Sequence, residues 1–194
     1  LVKIPVDETR PVNHTTADGV CVAGVARVQG VVTGKFNPEN EGAGLTLKMD
    51  TQTMTSSTQS TWPRRNIFIS FDWDITTETS TYKRLALSTA GIASGDAMAY
   101  SQSSIQYGPI YAEANGLFPR ITSGIALHAA QREIYGRHNQ SVADANQSVG
   151  SELAATLDQQ VEAMLAPVKE AFSRFVQGPF VERKLLGGAV AFGG

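Results

Sequence analysis

Near residue 122 the spacing of the apolar residues changes once, from two to between three and four, and this change constrains the fold most. Side chains alternate faces along a strand but share a face every three or four positions along a helix. The earlier part of the chain must therefore be extended and the later part helical. Strands gathered first and helix afterwards predict an α+β fold, not the alternating order of an α/β one.

The extended part divides into long runs. GVCVAGVARVQGVVTGKF puts Val20, Val22, Ala26, Val28, Val32 and Phe36 on one parity, with Arg27, Gln29, Thr33 and Lys35 on the other. Gly24, Gly30 and Gly34 fall within it and predict bulges or strong coiling. The Asn-Pro and glycines of FNPENEGAG supply turn chemistry, so this run pairs as a hairpin with the next. There Leu45, Leu47 and Met49 alternate with Thr46, Lys48 and Asp50. After a polar connector broken at Pro63, Ile67, Ile69, Phe71, Trp73 and Ile75 share one parity, and Phe68, Ser70, Asp72, Asp74 and Thr76 the other. TSTYKRLALS and AMAYSQSSI alternate in turn. The expectation is an antiparallel, strongly coiled β-meander of about five or six long strands over residues 19–122. Residues 1–18, with Pro5 and Pro11, read as an extended lead-in.

Ser123 is a candidate N-cap for a helical stretch running from Ile125 to about Val176. Its stripe passes through Leu127, Ala130 and Ile134, then Val142, Ala145, Val149, Leu153, Leu157, Val161, Met164, Val168, Phe172 and Phe175. Gly136, Gly150 and Pro167 are the expected interruptions, and Gly178-Pro179 the stop. Unbroken, about 50 helical residues would reach ~75 Å. A compact chain of this size has a radius of gyration of only ~16 Å. A break near His138–Ser141 resolves the conflict, so residues 123–178 pack on the sheet within one domain and 179–194 form a tail.

Composition removes several function classes. Net charge is −2, and no basic block exceeds Arg64-Arg65 or Lys83-Arg84, so a nucleic-acid footprint is missing. No apolar run approaches the roughly 18–20 residues of a membrane-spanning helix. Charged residues make up 18%, with Thr, Ser, Gln and Gly in their place, which fits an extracytoplasmic β-protein. The opening Leu1 fits a mature form or an excerpt. Cys21, alone and flanked by valines, reads as a small core hydrophobe.

The strongest candidate chemistry is Asp72 with Asp74, two residues and roughly 7 Å apart along a strand. Such a pair could serve a glycosidase or help to bind a cation. The unbroken apolar parity beside it instead assigns both carboxylates to the wet side of the sheet. Ser80 and Lys83 match S-x-x-K, but residues three apart in a strand face opposite sides, so the match carries no chemistry. His14, His128 and His138 are scattered, and neither a metal set nor a cofactor motif is indicated.

The succession GVCVAGVARVQGVVTGKFNPENEGAGLTLKMDTQT, then DWDITTETSTYKRLALSTAGI, resembles a group of uncharacterised exported proteins of planctomycete bacteria. Those pair a glycine-punctuated β-meander with a long polar helix. Thr81, Lys83, Leu85 and Leu87 sit on the strand that carries the likeness, Gly91 follows, and the similarity runs from about Pro5 to Leu186. The resemblance implies export and an envelope setting, and assigns no functional residue. The expected function is a non-catalytic extracytoplasmic protein acting by interaction, with an envelope protein as one possible partner, or as a structural component. An alternative is a carrier whose apolar trough between sheet and helix, at Met49, Phe71 and Trp73, takes a lipid or another hydrophobic ligand. A hydrolase using Asp72 and Asp74 ranks third.

Overall fold

The computed structural model describes residues 2–15, 19–39, 42–64, 66–88, 91–116 and 118–177. Six strands are formed: β1 (Val2–Thr15), β2 (Cys21–Glu39), β3 (Gly42–Arg64), β4 (Ile67–Ser88), β5 (Gly91–Ser94) and β6 (Met98–Ala114). They are followed by α1 (Pro119–Gly136), α2 (His138–Phe172) and a wide closing turn, Ser173–Gln177. Every pairing is antiparallel, in the order β1-β2-β3-β4, and both β5 and β6 lie against β4. β5 pairs with Leu85–Ser88, and β6 takes over from Tyr82 back to Ile67. They form one edge, interrupted at Gly95-Asp96-Ala97. The fold is α+β, an antiparallel coiled sheet followed by a long helix.

Register explains which side is dry. Val32, Met49, Thr81 and Ala99 lie side by side across four strands, as do Val28, Thr53, Thr77 and Ser103. Met49, Thr53, Thr77 and Thr81 in these rows are buried. The opposite parity is wet, as in the row Gln29, Gln52, Glu78 and Gln102. Over the dry face α2 lays Gly150, Leu153, Leu157 and Val161, a stripe at steps of three and four. Leu153, Leu157 and Val161 join Met49 and Leu85 in the core. Each large aliphatic side chain so buried stabilises the fold by about 1.5–3 kcal/mol.

Two glycines let the sheet curl. A Cβ at Gly24 would lie 2.2 Å from the Ser56 carbonyl oxygen, and one at Gly30 would lie 2.3 Å from that of Asp50. No side chain fits there, so the dry face can fold in on itself. These positions coil the strand, as their spacing predicts.

Several sequence expectations need correction. The stretch 1–18 is more than a lead-in: Val2 to Thr15 pair with Gly34 to Cys21 along the whole of β1. Cys21 is exposed, not core. It occupies the parity between Val20 and Val22, which puts its side chain on the wet face. α1 begins at Pro119, whose fixed φ suits a first helical turn. Ser123 instead accepts a hydrogen bond at Oγ from the Ala114 amide, 2.9 Å away. The helical break falls at Arg137 (φ −96°, ψ 5°), one residue before the expected segment. Gly150 and Pro167 lie inside α2 without ending it. Gly150 is a contact point, where a Cβ would come within 2.9 Å of Ser101 Oγ. The expected stop at Gly178-Pro179 and the tail 179–194 lie outside the described residues.

Candidate functional site

The sheet is wider than the helix that covers it. α2 packs on β4, β5 and β6, and α1 on β6 and β4. α2 also packs on Met49, Val28 and Val32 of β3 and β2, while toward β1 the dry face is less filled. There a cleft of about 530 Å³ runs between sheet and helix. Val6, Val12, Ala26, Val28 and Met49 form its sheet wall, and Val149 and Leu153 its helix wall. The lining extends from Val6 to Asn13 on β1, roughly 23 Å at 3.3 Å per residue. On α2 it extends from Ser148 to Gln160, about 18 Å at 1.5 Å per residue. The space is long, narrow and mainly apolar.

A charged strap crosses it. Arg10 Nη1 donates to Glu152 Oε1 of α2 at 2.5 Å, while its Nε donates to Glu8 at 2.8 Å. The hydrogen bonds from Arg10, and then its charge, hold the Glu8 carboxyl below its ordinary range. The strap is exposed and screened, so it steers more than it stabilises. A second hollow of about 440 Å³ lies toward the β1–β2 hairpin. Val20, Ile69, Phe71, Tyr107, Ala130 and Ile134 line it.

Between α2 and the sheet lies a band of hydroxyls. Thr77 and Ser103 are bonded at 2.7 Å, and Thr79 and Ser101 at 2.9 Å, across β4 and β6. Thr53 Oγ1, Ser57 Oγ, Trp73 Nε1, Thr81 Oγ1 and Asn146 Oδ1 are buried without a hydrogen-bond partner. Of these residues, Thr53 lines the cleft. Unsatisfied polar atoms of this kind are costly in a dry interface.

A buried ion pair fixes the middle of α2. Lys83, 3% exposed, donates from Nζ to Asp158 Oδ1 at 2.5 Å and to the Gly95 carbonyl at 2.9 Å. The same Asp158 oxygen accepts the Ala97 amide at 3.0 Å. One carboxylate thus joins β4, the β5–β6 interruption and α2. Sequence reading passed over this pair. The available signal was a lysine on the parity of Thr81 and Leu85, which belongs to the dry face.

The residues singled out from sequence do not converge. Asp72 and Asp74 are exposed on the wet face, and Asp72 Oδ1 accepts from Thr58 Oγ1 at 2.7 Å. Across the sheet their neighbours are Thr58, Ser56 and Gln106, none of them acidic. Met49 lines the larger cleft and Phe71 the smaller. Since Met49 pairs with Thr81, ten residues beyond Phe71, the two stand roughly 33 Å apart along the sheet. Trp73 lies one position on from Phe71 on the same face, half-buried. Ser80 turns outward to donate to Asp50 Oδ1 at 2.6 Å, while Lys83 points inward. Among the described residues no group of three His, Cys, Asp or Glu side chains is placed to hold a metal ion. No helix of the described residues is long and apolar enough to cross a membrane.

No family model matches the chain, and no match is found among curated proteins or solved structures.

Proposed function

We propose that the protein is a non-catalytic extracytoplasmic binding protein that holds an elongated, mainly apolar ligand of acyl-chain type between its sheet and α2. The cleft along β1–β3 carries this reading. Its volume of about 530 Å³ falls within the roughly 300–1,000 Å³ of small-molecule sites. Val6, Val12, Ala26, Val28, Met49, Val149 and Leu153 give it an apolar wall, and Glu8, Arg10 and Glu152 a charged one. Thr53, Thr55 and Thr156 add a few hydroxyls, which suits a ligand with a small polar group. The glycine-relieved coil supplies the curvature that such a cleft needs. The extracytoplasmic setting rests on the composition and on the resemblance to exported planctomycete proteins.

The test is a titration of delipidated protein with a fluorescent polyene fatty acid. Ala26 lines the cleft and is partly buried, so Ala26→Trp would occupy the space a chain needs. The expected result is saturable binding by the native chain and at least ~10-fold weaker binding by Ala26→Trp. Absence of saturable binding, or equal binding by the variant, would refute the assignment.

A further inference from the structure

One end of the molecule carries large apolar side chains that no other described residue covers. This is the end of the β3–β4 hairpin, where Arg64 pairs with Ile67 and Ile67 with Ala114. The Asn115 amide donates to the Asn66 carbonyl at 2.8 Å, and the Ala114 amide to Ser123 at 2.9 Å. The start of β4, the end of β6 and the first turns of α1 are thereby held together.

Phe118, Ile121 and Ile125 are 69%, 65% and 68% exposed, and Trp62 in the hairpin is 56% exposed. Trp62 rests against Phe68 on the wet face, on the other side of the sheet from α1, with ring centroids 4.8 Å apart. Along α1 the buried residues are Ala126 and Ala130. At 100° per residue Ile121, Ile125, His128, Arg132 and Tyr135 fall on the opposite side. A helix with alanine toward its own sheet and isoleucine toward solvent is inverted relative to ordinary packing.

Charge on this surface is cationic. Arg120 and Arg132 are exposed, and among the described residues neither has an acidic partner. Glu133 is taken up by Arg137 at 3.0 Å, which leaves Glu113 as the other exposed acid near this end. A two-fold contact between copies of this chain would set arginine against arginine, an arrangement that disfavours self-association. An anionic bilayer suits both halves of the pattern. Apolar side chains enter the acyl boundary, and an amphipathic helix with basic residues beside its apolar side lies in the interface plane.

We propose that the outward side of α1 docks on a lipid bilayer bearing anionic headgroups. Phe118, Ile121 and Ile125 enter the interfacial layer, while Arg120 and Arg132 meet the headgroups. Association is peripheral. The surface is separate from the cleft, so this proposal and the ligand reading fail independently: ligand titration is done without vesicles, and docking with them.

Flotation of the full chain with vesicles of equal parts phosphatidylcholine and phosphatidylglycerol tests it. The native protein should float with these vesicles and at least ~10-fold less with phosphatidylcholine alone or in 1 M salt. Ile121→Asp with Ile125→Asp should lower the bound fraction by a similar factor while leaving the circular-dichroism melt unchanged. Arg120→Glu with Arg132→Glu gives an independent second variant if the first fails to fold. Lack of flotation by the native protein, equal flotation by folded variants, or a solution dimer dispersed by these substitutions without any flotation would overturn the proposal.

Discussion

Lys83 and Asp158 show how unequal the two ends of one ion pair can be. The Lys83 side chain is 3% exposed and that of Asp158 35% exposed. Removing the carboxylate strands a buried ammonium with only the Gly95 carbonyl, whereas removing the ammonium leaves a carboxylate that water and the Ala97 amide still solvate. Asp158→Ala should therefore cost about 3 kcal/mol, and Lys83→Met only about 1 kcal/mol. Urea denaturation reads both, and equal costs, or an Asp158→Ala within about 0.5 kcal/mol of native, would contradict the asymmetry. This pair was half legible. Parity placed Lys83 on the dry face, but nothing local names a partner 75 residues away. The placement of Asp72 and Asp74 was fully legible, because a strand with one apolar parity has a single way to face.

At the level of elements, glycines do three different jobs that the sequence shows identically. Gly24 sits where a Cβ would strike the backbone of β3, and Gly150 brings α2 down onto Ser101. Gly124 has nothing within 4 Å of a would-be Cβ. Gly24→Val should consequently lower stability by about 1–3 kcal/mol through overpacking. Gly124→Ala should raise it by about 1 kcal/mol through helix propensity alone. Thermal melts of the two variants should move in opposite directions; a Gly24→Val that melts no lower than native would show that the coil of β2 does not depend on Gly24. The helical stripe and its break were readable because period and length each set a limit. β1 was not recognised as a strand because its two prolines and exposed residues obscure the alternation. Prolines are tolerated on an edge strand, where free N–H groups invite unwanted pairing, and Pro5 and Pro11 lie on this edge.

For the whole molecule, the decisive feature is the lateral offset of α2 toward β4–β6. Where the helix sits, Met49, Leu85, Leu153, Leu157 and Val161 close the core. On the β1 side of the same helix, the dry face becomes the wall of a cleft that α2 closes from above. No window of sequence encodes that offset, since it sums packing from five strands and a helix. Sheet, helix and their order could be read from residue spacing, while the space left between them could not. Native mass spectrometry of protein purified without detergent tests the central claim most directly. The account predicts a bound species of lipid mass, lost on gentle activation and absent from Ala26→Trp. A bare apo mass for the native chain, even after incubation with a fatty-acid mixture, would contradict it.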